Sequence, residues 1–262
     1  MSHISYQKMN RLLIYTLLLS LSAISCQTMK EKDPGHEYVM KNFRLESSIT
    51  PPDSAETTYY EINYPEFKDE KISRFILDSI VLDSGKASVE EMGRSFISDF
   101  EDYVRESTHQ FPWFEERTDS VAVQTSSYIG IITKWSNYTG GAHGMYSTVF
   151  HNYDIKDNRS IPLNAVIPAG KMPELTAIGE EVFRKQENLI ADQSLKENYF
   201  FEEGQFSLPG NYIFTSKGLL FLYNIYEIKP YVSGQTELLL PYSSVLPLMS
   251  EKGKEIAEEV ND

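Results

Sequence analysis

Residues 121–153 read VAVQTSSYIGIITKW (Val121–Trp135), SNYTGGAHGM (136–145) and YSTVFHNY (Tyr146–Tyr153). Both flanks are rich in β-branched and aromatic residues, and the centre carries Gly140, Gly141 and Gly144. β-formers broken by a glycine cluster read as a long hairpin or strand pair around residues 137–144. A hairpin in mid-chain makes an antiparallel sheet the organising element of the fold.

Working outward, Lys156-Asp157-Asn158 is a polar turn after the second of these strands. Upstream, Tyr38–Ile49 and Thr57–Tyr64 read as an opening pair of strands. The period then changes. Ile72, Phe75, Ile76 and Ile80 recur at helical spacing after Asp69-Glu70-Lys71. A second helix opens with Ser88 and Glu91 in a capping-box pattern, carries Val89, Met92, Phe96, Phe100 and Tyr103 on one face, and ends near Glu106. These aromatic stripes read as core. Pro173 opens a third helix with Leu175, Ile178, Val182 and Phe183 inward. Tyr212–Phe214 and Leu219–Ile225 flank the turn signal Ser216-Lys217-Gly218, and Glu237–Leu240 is a last short strand. The tail from Ser250 reads as an acidic, weakly anchored helix. The expected class is α+β, a mostly antiparallel sheet packed by two or three helices.

The ends carry a different message. Lys8 and Arg11 precede the uncharged apolar stretch Leu12–Ile24, which is too short for a bilayer span of roughly 20 residues and fits a signal-peptide core. Ala23-Ile24-Ser25-Cys26 resembles a lipobox, and Cys26 is the one cysteine of the chain. The expectation is a lipoprotein signal over residues 1–25, lipidation of Cys26, and an extracytoplasmic body anchored by that lipid to a bacterial membrane. A signal cleaved without lipidation and an uncleaved anchor are the alternatives. Residues 26–36 read as a tether, 37–135 as an N-terminal α+β part, 136–250 as a C-terminal part and 251–262 as the acidic tail. The division near Trp135 is nominal if the two parts share one sheet.

Cleavage before Cys26 removes two of the 24 basic side chains and none of the 38 acidic ones, so the net charge moves from −14 to −16. Such a body repels nucleic acid and favours a cationic partner. With Cys26 committed to lipid, no disulfide, catalytic thiol or cysteine metal site is expected. His3, His36, His109, His143 and His151 form no metal-ligand spacing, so neither metal nor cofactor is expected.

Two segments are candidates for contact with a ligand. In Tyr138–Gly144, glycines permit positive φ and close backbone approach, and His143 offers a donor or base; a bulge or tight turn explains the same residues. In Tyr226–Gly234, Glu227 and Tyr231 flank Pro230, and tyrosines offer flat faces and hydroxyls; a strand end with satisfied hydroxyls is the alternative. The candidate binding residues are Tyr138, Gly140, Gly141, His143, Glu227 and Tyr231, with no catalytic residue assigned. An enzyme acting on an envelope glycan would need His143, Tyr138, Glu227 and Tyr231 to converge in one pocket.

Tyr138–Gly144, together with Gly218-Leu219, Tyr226-Glu227-Ile228, Pro230-Tyr231, Gly234 and Pro241-Tyr242, resembles the extracellular domain of RsiV-type anti-sigma factors, which sense lysozyme. The resemblance spans about residues 40–250 and is looser before Trp135. It implies the fold and a binding role at the cell envelope. The sigma-binding segment of those sensors has no counterpart in the short stretch before Leu12, and the deacetylase domain found beside some members has none either. The resulting expectation is a non-enzymatic envelope lipoprotein that binds a protein or a cell-wall fragment, with a glycan-acting enzyme and a structural or assembly lipoprotein as rivals.

Overall fold

The computed structural model describes residues 36–261 apart from 52, 53, 55, 82–84 and 108–110. The apolar stretch 12–24, Cys26, the tether up to residue 35, His3 and His109 lie outside the described residues, as does the side chain of Ile80. Strand β1 (Tyr38–Glu46) pairs antiparallel with β2 (Tyr59–Phe67). β1 stops short of Ile49 because the Ser47 hydroxyl accepts the Ile49 N–H (3.0 Å), which turns the chain out of the ladder.

Helices α1 (Glu70–Val81) and α2 (Val89–Glu106) then carry the chain to β3 (Phe114–Gln124), which lies parallel to β2. The capping box of α2 forms with a shift. Ser88 Oγ accepts the Glu91 N–H at 3.2 Å, while the Glu91 carboxylate reaches back to the N–H of Ala87 at 2.7 Å. Antiparallel β4 (Tyr128–Tyr138), β5 (Met145–Asp154) and the short β6 (Arg159–Ser160) complete a six-stranded sheet in sequential order. Its one parallel pair is β2–β3, so the sheet is mostly antiparallel, as expected.

The run Val121–Trp135 is not one strand. It straddles a turn at 125–127, and β3 begins earlier, at Phe114. Thr125 Oγ1 accepts the N–H groups of Ser127 (3.3 Å) and Tyr128 (3.1 Å). β-forming residues thus make a hydroxyl-closed turn that composition hides.

The chain continues through α3 (Leu163–Val166), α4 (Met172–Gln186), strands β7 (Tyr212–Thr215), β8 (Gly218–Tyr223) and β9 (Thr236–Pro241), α5 (Tyr242–Val245) and α6 (Glu251–Asn261). β7, β8 and β9 form a second, antiparallel sheet. Among the described residues three apolar cores result. Ile72, Ile76 and Val89 of the first helices meet Tyr60, Ile62, Ile129 and Ile131 on one face of the large sheet. Phe150 on its other face meets Ile213 and Leu222 of the small sheet. Phe214, Phe221, Leu238 and Leu240, on the far face of that sheet, pack with Leu175, Phe183 and Ile256. Each fully buried side chain of this kind contributes roughly 1.5–3 kcal/mol. Gly218 is required here, because a Cβ would sit 2.1 Å from the Leu240 carbonyl oxygen.

The tail is not weakly anchored. Ile256 and Ala257 of α6 are buried, Lys252 pairs with the buried Asp154, and Glu259 closes the 125–127 turn. The Glu259 carboxylate accepts from Thr125 Oγ1, Ser127 N–H (3.2 Å) and Ser127 Oγ (2.8 Å). Burial pushes both carboxyls up, but the hydrogen bonds and, for Asp154, the Lys252 ammonium outweigh it and hold them below their ordinary values. Their contribution is therefore complete above the ordinary carboxylate range near about pH 4 and fades as pH falls through the lowered folded values.

The two sheets are joined through amide side chains on the outer edge of β5. Asn211 accepts the Phe150 N–H (2.8 Å) and donates to the carbonyls of Thr148 (2.9 Å) and Leu222 (3.2 Å). Asn224 accepts the Thr148 N–H (2.8 Å) and donates to the Thr148 carbonyl (3.1 Å). Asn152 of β5 donates to the Tyr212 carbonyl (2.7 Å) and accepts from the fully buried Tyr128 hydroxyl (2.6 Å).

Replacing Asn211 by Ala strands the Phe150 N–H, removes the Asn211 donor from the Leu222 carbonyl and leaves the Thr148 carbonyl with Asn224 alone, and should lower unfolding free energy by about 2–4 kcal/mol in urea titrations. Asn211→Asp should not restore it, because the carboxylate keeps the acceptor and loses both donors. Glu259→Gln should destabilise by about 1–2 kcal/mol at about pH 7, with the difference shrinking as pH falls below the ordinary carboxylate range. A difference that stays constant across that range contradicts the assigned role of the ionised carboxylate.

Candidate functional site

The β4–β5 connection is the glycine-rich segment, and it closes on itself. Gly140 and Gly141 have φ of +101° and +98°, with open space where a Cβ would stand, so the demand there is purely conformational. The Tyr138 hydroxyl donates to the Gly141 carbonyl at 3.0 Å. His143 is exposed, and its Nδ1 lies 2.9 Å from the Gly144 carbonyl. A carbonyl only accepts, so this contact places a proton on Nδ1.

The second segment comes to meet it. The Tyr231 ring stacks on His143 with centroids 3.9 Å apart and planes 23° apart. The Tyr226 hydroxyl stands 3.5 Å from His143 Nε2, and its ring lies 5.7 Å from that of Tyr231. Tyr146 approaches Tyr231 edge-on at 5.8 Å. Tyr226 holds φ at +65°, a strained conformation for a bulky side chain. Val232, next to Tyr231, is 91% exposed. The result is a projecting knuckle of three tyrosines and one histidine.

Of the residues expected from sequence, Tyr138, Gly140, Gly141 and His143 share the loop, and Tyr231 joins them. Glu227 does not take part in the stack. Its carboxylate accepts the Asn224 N–H at 3.0 Å and so closes its own turn. The contacts of His143 run to Gly144, Tyr226 and Tyr231. Tyr226 and Tyr146 belong to the cluster and were not singled out by sequence; Tyr226 lay within the quoted segment, and Tyr146 carried no signal beyond strand alternation.

An aromatic row leads away from the knuckle. Tyr59, Phe114 and Tyr138 are cross-strand neighbours on β2, β3 and β4, with ring centroids 6.0 and 6.4 Å apart. The Arg44 guanidinium lies 3.9 Å over the Tyr59 ring. The Tyr59 hydroxyl donates to Glu116 (2.5 Å), and burial together with that carboxylate pushes Tyr59 up to about 12. Between the row and the small sheet lies an open groove of about 280 Å³.

The opposite face of the sheet holds a polar cluster that sequence reading missed. Arg117 makes a bidentate pair with Asp119, which is 1% exposed, and Thr133 bonds Asp119 while standing 3.0 Å from His151 Nε2. Burial raises the nearby Glu115 carboxyl above its ordinary value, against opposing contacts with Trp135 and Arg117. Spacing i, i+2 on one strand was the available signal for Arg117 and Asp119. Among the described residues no group of three His, Cys, Asp or Glu side chains gathers as a metal site requires.

Residues 165–243 match the family described as Protein of unknown function (DUF3298), and residues 53–146 match the family described as Deacetylase PdaC. No curated protein matches the chain. The structure resembles that of a DUF3298 family member from Bacteroides fragilis NCTC 9343 with a TM-score of 0.67, at 16% identity over 86% of this chain and 98% of that one. It also resembles a DUF3298 family protein from Pseudomonas aeruginosa PAO1 with a TM-score of 0.66, at 18% identity over 82% of this chain and 95% of that one. The chain therefore has the fold of these proteins, with a PdaC-like region followed by a DUF3298-like one. His143 lies in the first matched region, Tyr226 and Tyr231 in the second.

A double-mutant cycle on His143→Ala and Tyr231→Ala should return a coupling of about 0.5–1.5 kcal/mol in unfolding free energy. The same cycle with Glu227→Gln in place of Tyr231→Ala should return a coupling near zero.

Proposed function

We propose that the chain is a secreted, lipid-anchored protein of the bacterial cell envelope whose folded body binds a protein or a cell-wall-derived ligand without converting it. The observation that carries the binding reading is the knuckle itself. His143 is used for stacking and for bracing its loop, and Glu227 faces its own turn, so the proton-transfer pair that a glycan-acting enzyme would draw from these segments is not assembled. What is presented outward is aromatic surface with strained backbone at Tyr226 and an exposed apolar tip at Val232, the kind of feature that anchors recognition.

The resemblance of the same two segments to RsiV-type ectodomains supports an envelope role, while the anti-sigma activity of those sensors is not carried over. The activity in the name PdaC belongs to that protein; the match here covers residues 53–146. A net charge of −14 favours a cationic protein among protein partners, and lysozyme is a direct probe of that. Lipid anchoring rests on the apolar stretch and Cys26.

Cells fed an alkyne fatty acid should label the wild-type chain and retain it in the membrane fraction, and Cys26→Ala should lose both properties. Label that persists in Cys26→Ala, or that never appears on the wild type, overturns the anchor. Lysozyme that passes unretained over the immobilised protein at about 0.15 M salt removes that partner.

A further inference from the structure

The large-sheet face that carries Phe150 is covered by the small sheet only in part. Ile132 and Phe150 pack against Ile213, Leu220 and Leu222. Further along β4 and β5 the groove of about 280 Å³ opens, lined among others by Glu116, Thr118, Lys134, Ser136, Tyr146 and Gln235. Strand register sets Thr118 opposite Lys134, Glu116 opposite Ser136, and Ser136 opposite Tyr146. These side chains therefore project from one face of the sheet.

Three observations describe what the groove offers. Lys134 is exposed and has no ion-pair partner among the described residues, in a chain with 38 acidic side chains. The Glu116 carboxylate is held through one oxygen by the Tyr59 hydroxyl, which fixes its position and leaves Oε2 as an acceptor. The walls are preset: the Gln235 amide donates to Asn224 (2.7 Å) and to the Thr148 hydroxyl (3.2 Å), and the Tyr146 ring is braced by Tyr231. An unpaired cation, a held acceptor, several hydroxyls and one aromatic wall suit a small polyhydroxylated ligand with a negative charge. An extended peptide is disfavoured, because the β5 backbone it would pair with is already taken at Thr148 and Phe150 by Asn224 and Asn211.

We propose that this groove is a saccharide site selective for a carboxylate-bearing sugar. Lys134 pairs with the carboxylate, Glu116 accepts from a ligand hydroxyl or amide N–H, and Tyr146 covers an apolar ring face. This narrows the cell-wall-ligand reading above and rests on it.

N-acetylmuramic acid, its methyl ester and N-acetylglucosamine serve as probes in an NMR titration of the folded chain. The acid should perturb the amides of Thr118, Lys134 and Tyr146, and the ester and the neutral sugar should bind at least about tenfold more weakly, the loss of one charge-assisted contact. Lys134→Met should bring the acid down to the level of the ester, while Lys185→Met on α4 leaves it unchanged. Binding of acid and ester with equal affinity, an unchanged affinity in Lys134→Met, or no perturbation of the groove at millimolar acid overturns the proposal. None of these outcomes touches the fatty-acid labelling of Cys26 or lysozyme capture, so the wider reading stands or falls separately.

Discussion

The structure depends on how one exposed strand edge is satisfied. β6 pairs with β5 only at Tyr153 and Asp154, so the rest of that edge would present bare N–H and C=O groups. Asn211 and Asn224 supply side-chain amides there, each acting as a peptide group of an absent strand. An asparagine amide has the donor and acceptor of a backbone amide but no chain direction. The second sheet can therefore dock without continuing the ladder. Apolar contact through Phe150, Ile213 and Leu222 then supplies the burial that amides alone do not.

The same bonds place the candidate site. Asn224 ends β8 at a fixed point on β5, so the segment 225–235 emerges beside the glycine-rich connection that begins β5. Tyr231 meets His143 because both are tied to Thr148 and its neighbours through a few residues of chain. The knuckle and the groove next to it share Tyr146, whose ring meets Tyr231 on one side and lines the groove on the other. A ligand in the groove would thus sense the posture of the knuckle through one aromatic ring.

Much of this was legible from residue patterns. The glycine cluster marked the β4–β5 connection, Ser88 and Glu91 marked the start of α2, and Ser216-Lys217-Gly218 marked the β7–β8 turn. The strand run from Val121 misled because Thr125, Ser126 and Ser127 are compatible with β structure, and the Thr125 hydroxyl that closes them into a turn is itself clasped by Glu259, far away in sequence. The α6 helix looked loose because its charges dominate; Ile256 and Ala257 are few but fully used. In the site, the two segments were visible while their pairing was not. Tyr226 adopts a conformation that no side chain advertises, and Glu227 satisfies the Asn224 N–H of its own turn, which spacing alone does not single out.

The bond between Thr125 and Glu259 spans 134 residues and joins the β3–β4 hairpin to α6. A polypeptide delivered from its N-terminus, whether by a ribosome or through a translocation pore, has the β3–β4 turn long before it has the carboxylate that locks it. The hairpin waits in a provisional form until α6 has followed it. Helix α6 is in that sense a timing element: it holds back the last lock on the β3–β4 turn until 134 more residues have been delivered.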